Sequence, residues 1–184
     1  MKTPVTCFAI VLVALSAGCG TAISEGAGQA FGPKGEVTPL QPVTLGSSLP
    51  LQEYSQFELG EFHNDVGGHL PAALLPQFRI DFPAMLAKYK VKTALGGKTA
   101  VIRGTILHYE GSGSLAVVTS AVEEIVVRTE IADKESGRVI AVANCIGRST
   151  TRLNRGIDKK AEGLAKAVAK WIALLQHNKD QPDD

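Results

Sequence analysis

Apolar and polar side chains alternate through much of the second half of the chain. In SAVEEIVVRTEIAD, residues 120–133, Ile125, Val127 and Ile131 alternate with Glu124, Arg128 and Glu130, the pattern of a half-buried strand. In TAVIRGTILHYE, residues 99–110, Ile102, Gly104 and Ile106 share one face, and Arg103 and Thr105 the other. DKESG follows the first of these, and Gly137 suits the positive φ of a bulged hairpin turn. The chain is therefore expected to return as a strand through RVIAVANCIGR, residues 138–148. That strand is apolar on both sides, with Ile140, Val142 and Ile146 on one and Val139, Ala141, Ala143 and Cys145 on the other. A strand with one face in water alternates more cleanly. A cover over the second face is expected, from the Pro-rich segment before Tyr54, a second subunit or a partner.

Earlier in the chain, YSQFELGEF, residues 54–62, predicts a strand that Gly60 bulges. From Leu70 to Lys90, the residues Leu75, Phe78, Phe82, Met85, Leu86 and Tyr89 recur at helical spacing. Pro76 and Pro83 interrupt this run and Asp81 can cap a second segment, so one kinked helix or two consecutive ones are expected. A final helix is expected from Ile157 to Gln176. Ile157, Ala161, Leu164, Val168, Trp171, Ile172 and Leu175 form its apolar stripe, and Lys159, Glu162, Lys166 and Lys170 its wet face. Gly163 in mid-helix suits close packing on a sheet. The predicted fold is α+β, a single β-α-β-β-β-α domain over residues 51–177 with a mostly antiparallel four-stranded sheet and both helices on one face. Residues 178–184 are expected to fray.

Residues 20–50 hold six Gly and four Pro with no apolar periodicity. They read as a flexible tether, and about 30 such residues reach on the order of 30 Å. Before them, Met1 and Lys2 precede an apolar run from Val5 to Leu15 and the small residues Ser16, Ala17 and Gly18, the order of a secretory signal peptide over residues 1–18. The run is shorter than the roughly 20 apolar residues of a membrane span.

LSAGC, Leu15 to Cys19, resembles the lipobox of bacterial lipoproteins. The resemblance implies cleavage before Cys19, diacylglycerol on its sulfur and acylation of the new amine, so that residues 19–50 form a lipidated tether. Leu15 lies one place further from the cysteine than the pattern usually has it. The alternative is a plain secreted chain with a chance cysteine. Gly20 is not the aspartate that favours inner-membrane retention in enterobacterial lipoproteins, so the resemblance implies an outer-membrane anchor facing the periplasm.

Without its first 18 residues the chain carries 18 Lys and Arg against 18 Asp and Glu, and lacks the basic excess of a nucleic-acid binder. Of the three cysteines only Cys145 would remain free, so no internal disulfide forms and the mostly aliphatic core carries the stability. GSGS at 111–114 lacks the lysine and hydroxyl of a P-loop. His63, Asp65 and His69 lie close in sequence but lack a fourth candidate ligand, and read as loop residues instead of a metal site. Cys145 could pair with His108 as nucleophile and base, yet with Ala141 and Ala143 at two-residue spacing it reads as a packing residue. No catalytic or cofactor fingerprint appears.

RSTTRLNRGIDKK, residues 148–160, gathers Arg148, Arg152, Arg155, Lys159 and Lys160 with Asp158 the only acid. It reads either as a solvated connection or as a contact patch for an acidic partner surface. The runs VIRGTILHYE, EIADKESGRVIAVANCIGRS and AKAVAKWIALL resemble a family of bacterial envelope lipoproteins, domain of unknown function 4410, over about residues 50–176. Arg103 to Gly111 and Asp133 to Gly137 carry its motifs, while STTRLNRG at 149–156 has fewer glycines than the family. The layout also looks like the small β/α domains of the curli secretion-channel lipoprotein and of peptidoglycan-synthase activator lipoproteins. The resemblance implies a non-enzymatic envelope module that binds a protein, homo-oligomerisation being possible. The alternative is a small-ligand carrier or an enzyme with an unrecognised site. If Cys19 is acylated, Cys19→Ser abolishes acyl labelling and leaves the protein unprocessed or misplaced. Unchanged labelling and membrane fractionation of that variant would overturn the lipoprotein reading.

Overall fold

The computed structural model describes residues 32–40, 49–68, 70–111, 123–149 and 156–177. Five strands and two helices follow in the order β1 (Lys34–Pro39), β2 (Tyr54–Asn64), α1 (Leu74–Lys88), β3 (Lys98–Tyr109), β4 (Glu123–Asp133), β5 (Val139–Ser149) and α2 (Ile157–His177). The strands form one sheet in the order β1-β5-β4-β3-β2. Only the β2–β3 pair is parallel, joined through α1, and the other pairs are antiparallel. The alternating pattern of β3 and β4 and the turn at Gly137, with φ 69°, match expectation. The β2 register shifts between Leu59 and Phe62, where Gly60 was expected to bulge it.

The sheet has five strands where the sequence predicts four. The additional strand, β1, lies inside the stretch expected to be tether, and pairs with β5 from Lys34↔Arg148 to Pro39↔Ala143. It escapes a hydrophobic-pattern reading because its two inward positions are Gly35 and Val37, so one apolar side chain marks the whole strand. The described part of the Pro-rich segment therefore lengthens the sheet instead of covering its second face. Further on, Leu51 is fully buried and its N–H donates to the Leu175 carbonyl, 3.1 Å.

α1 is a single helix with Pro83 inside it, and its core face is Leu74, Phe78, Phe82 and Leu86. Asp81 caps nothing; its carboxylate accepts from Gln77 one turn earlier, 2.9 Å. Phe78 meets Phe62 of β2 edge to face, with ring centroids 5.3 Å apart. Both helices bury their apolar sides in one core with Ala100, Ile102, Ile106, Ile125, Val127 and Ile131. α2 is more buried than its sequence suggests. Lys170, expected on a wet face, is covered, with its ammonium 5.6 Å from the centre of the Tyr89 ring beside α1.

Three glycines set how closely α2 lies on the sheet. A Cβ on Gly35 of β1 would come within 2.5 Å of the Ala167 nitrogen and the Gly163 oxygen. One on Gly147 of β5 would lie 2.6 Å from the Leu164 nitrogen and the Lys160 oxygen. One on Gly163 would lie 2.8 Å from the Lys34 oxygen and 3.1 Å from the Gly147 Cα. Every one of these obstructions is backbone, which cannot rotate aside. Helix and strands therefore meet main chain to main chain.

At the other end of the sheet Asp133 holds the β4–β5 turn. Its carboxylate accepts from the Ser136 backbone and hydroxyl, both at 2.7 Å, and from the Tyr54 hydroxyl of β2 at 2.9 Å. The Ser136 hydrogen bonds hold the Asp133 carboxyl down at about 2, with Tyr54 adding to them.

The glycine seat gives a test with an unusual sign. Gly→Ala inside an open helix gains about 1 kcal/mol from propensity. Overpacking costs about 1–3 kcal/mol, so Gly163→Ala should lower the denaturant midpoint without changing the slope. A raised midpoint would show that the seat has room.

Candidate interaction face

With both helices on one side, the other side of the sheet is uncovered among the described residues. Its outward rows follow from strand alternation. β3 contributes Val101, Arg103 and Thr105, and β4 contributes Glu124, Val126, Arg128 and Glu130. β5 contributes Ile140, Val142, Asn144, Ile146 and Arg148, and β1 contributes Lys34, Glu36 and Thr38. Val126 sits opposite Ile146, and Arg128 opposite Asn144 and Thr105. The apolar members are half-buried by one another and by the long charged side chains around them.

The acids of this face are engaged. Arg103 donates to Glu130 at 2.9 Å. Arg148 donates to Glu124 at 2.8 Å and to Glu36 at 2.7 Å, linking β4, β5 and β1. Those carboxylates, Glu124 first, raise the Arg148 pKa. Such exposed pairs contribute little stability each, about 0–1 kcal/mol, but they fix side chains in place. Arg128, at the centre, has no ion-pair partner among the described residues. The face thus presents an apolar band, occupied carboxylates and one uncommitted guanidinium.

The cations expected as a patch do not stay together. Arg148 belongs to the sheet face just described, and Lys159 is paired with Glu162 at 2.8 Å. Lys160 is corrected outright: it is 1% exposed and its ammonium lies 3.0 Å from the Glu123 carboxylate, itself 1% exposed. It also donates to the Glu110 carbonyl at 3.0 Å and sits 4.6 Å from the centre of the Tyr109 ring. Lys160 clamps the stems of β3 and β4 to the start of α2, where no partner reaches it. Arg152 and Arg155 lie outside the described residues, as do Cys19, His69 and the GSGS residues after Gly111.

The other candidates separate. Cys145 is fully buried on the helix side, and that burial pushes its thiol up to about 12, against a smaller pull from its hydrogen bond with Thr129. A thiol so raised is no nucleophile at neutral pH. His108 is half exposed, 4.0 Å from Glu124. His63 stands exposed beside Glu61 at 3.7 Å, and no metal-ligating cluster forms among the described residues. A shallow groove of about 480 Å³ lies along β2, lined by Ser55, Phe57, Leu86, Ala94 and the fully exposed Leu95. The Ala94 N–H and carbonyl both bond to Ser55 there, occupying part of the strand's free edge. Further along β2, Arg79 donates to the Leu59 and Gly60 carbonyls at 3.2 and 2.9 Å.

No family model and no curated protein matches the chain, so the resemblance to family 4410 stands on the sequence motifs alone. Among solved structures the chain is similar to the PelC dodecamer of Paraburkholderia phytofirmans in two crystal forms. One shows 16% identity and a TM-score of 0.46, covering 80% of this chain and 99% of that one. The other shows 13% identity and a TM-score of 0.45, covering 73% and 95%. A minor lipoprotein from Acinetobacter baumannii is similar at 13% identity and a TM-score of 0.37, covering 65% and 93%. At such identities the likeness does not extend to side-chain chemistry. Among the described residues no helix is long and apolar enough to cross a membrane.

The buried pair can be tested separately from the face. Lys160→Met leaves Glu123 buried without that cation, which costs about 3–5 kcal/mol. Adding Glu123→Leu should restore most of the loss, because the removed charges no longer need each other. Chemical denaturation of the single and double variants measures both steps.

Proposed function

We propose that the chain is a membrane-anchored, periplasm-facing lipoprotein acting as a non-enzymatic protein-binding module of the cell envelope. Its partner sits on the uncovered face of β3, β4, β5 and β1. Arg128 carries this reading: a central cation on an apolar band, without an ion-pair partner among the described residues and with the neighbouring acids already engaged. A partner that presents a carboxylate over Val126, Val142 and Ile146 supplies what the face lacks. Arginine suits the role because its planar fork holds a carboxylate in paired hydrogen bonds. The lipobox-like LSAGC supports a place at the envelope, and Gly20, not being the retention aspartate, supports the outer membrane. Arg152 and Arg155 remain proposed as an auxiliary contact for the same acidic partner, and a further copy of the chain is one partner to consider. The reading as a small-ligand carrier would want a deep apolar cleft with convergent polar groups. The groove along β2, formed by described residues, is shallow and does not supply one.

A photoreactive residue at Val142 should give discrete adducts in cells, while one at Ala87 on the helix side should not. Arg128→Gln should lower the Val142 adduct yield by about threefold or more, the loss of one well-placed charge pair. Equal adducts from both positions, or a yield indifferent to Arg128, would remove the face as the binding surface.

A further inference from the structure

We infer that the segment carrying the chain from α1 to β3, residues 88–98, is a contact for an anionic lipid surface. It reads KYKVKTALGGK, with four lysines, and no acid occurs between Asp81 and Glu110. Lys88, Lys90 and Lys92 are exposed and have no ion-pair partner among the described residues. The fourth, Lys98, is bound to Glu53, and Glu58 is taken by Lys134 at 2.7 Å, so neither acid is left to neutralise the other three. Tyr89 lies among the cations, with the Lys88 and Lys170 ammoniums 6.0 and 5.6 Å from its ring centre. The contact depends neither on the open face of the sheet nor on acylation of Cys19.

Two further features set this segment apart from a solvated loop. Lys90 has φ 55°, a left-handed conformation that glycine adopts freely and a residue with a Cβ resists. It stands where helices most often end on glycine: its N–H donates to the Ala87 carbonyl at 3.1 Å, and the Val91 N–H to the Leu86 carbonyl at 3.0 Å. A lysine there carries backbone strain that the helix end does not require, and such strain gathers at functional surfaces. Leu95, in turn, is fully exposed although the backbone on both sides of it is held. The Lys92 N–H donates to the Gln176 side-chain oxygen at 2.9 Å, and the Gln176 amide donates to the Lys92 and Tyr54 carbonyls at 3.1 and 2.8 Å. The Ala94 N–H donates to the Ser55 carbonyl at 3.0 Å, and a Cβ on Gly97 would run into the Ser55 hydroxyl. Leu95 is thus presented on a fixed loop and needs little ordering on contact. An apolar tip flanked by lysines and a tyrosine matches the bilayer interface, where the leucine enters the acyl boundary and the ammoniums stay at the headgroup phosphates. An acidic protein would have to offer a pocket for Leu95 as well as carboxylates, whereas an anionic bilayer supplies charge and apolar depth at every point.

The test uses the full chain with Cys19→Ser in every sample, so that no acyl anchor contributes, and an environment-sensitive fluorophore at the exposed Thr93→Cys. Cys145 is fully buried, and the chain without Thr93→Cys, treated in parallel, supplies the blank. The protein is titrated with vesicles of phosphatidylcholine, alone or mixed with phosphatidylglycerol. On the anionic vesicles the emission should rise and shift to the blue, with a half-maximal lipid concentration that increases with salt. Phosphatidylcholine alone should give far less. Lys90→Gly should raise the half-maximal concentration about fivefold, the loss of one lysine near an anionic surface. Its denaturant midpoint should hold or rise, because glycine suits the left-handed φ. Lys88→Glu with Lys92→Glu should weaken the response more than tenfold, and Leu95→Ser should reduce the blue shift while leaving the salt dependence. An equal response on both lipids, or one indifferent to these lysines, overturns the lipid contact. A response to envelope protein but not to vesicles assigns the segment to a protein partner and overturns it as well. So does a response seen only after deletion of residues 178–184, whose Asp180, Asp183 and Asp184 would then be the lysines' partners.

Discussion

The contact on which the rest depends is the one between α2 and the backbones of β1 and β5. Gly35, Gly147 and Gly163 converge there, and at each a single added carbon would meet main-chain atoms at 2.5–2.8 Å. Close approach of this kind lets dispersion act across the whole helix–sheet contact, because protein interiors lose contacts quickly with even small gaps. It also explains why the helix stripe is so rich in alanine: Ala161, Ala165, Ala167 and Ala169 are all fully buried. The seat does more than pack a core. It recruits β1, a strand with little apolar area of its own, as the fifth strand of the sheet.

Two kinds of charge arrangement follow from the one-sided helix layer. On the covered side and at its rim, charge is tolerated only where it is matched, as Lys160 and Glu123 are at 1% exposure each. On the open side, charge is free to be arranged in surface pairs, and Arg148 draws Glu36 and Glu124 together across three strands. The open face therefore combines ordered polar side chains with an apolar band on β4 and β5. Interfaces commonly have this make-up, with apolar or aromatic cores and arginine enriched.

The edges of the sheet are guarded differently. At β2 the 94–95 stretch and the Arg79 guanidinium occupy part of the free edge, which discourages indiscriminate strand addition. At β1 the strand is short, begins at Lys34 and ends at Pro39, which has no N–H to offer. Neither edge is an open template for strand addition over its whole length.

Local sequence determined β2 to β5, the two helical regions, the turn at Gly137 and the packing role of Cys145. Each of these is encoded locally, by alternation, by helical spacing or by a required φ. The apolar excess on β5 was also legible, in Ile140, Val142 and Ile146. Tertiary structure decided what local pattern does not carry. β1 is defined by the absence of side chains at Gly35, a signal that appears only once α2 lies over it. The cations of residues 148–160 read as one run in sequence, but Arg148 turns to the open face, Lys160 turns inward, and Lys159 pairs with Glu162, because strand and helix periods send neighbouring side chains in different directions. Arg128 looks like any polar residue on an alternating strand. Only the assembled sheet shows that the acids around it are already taken.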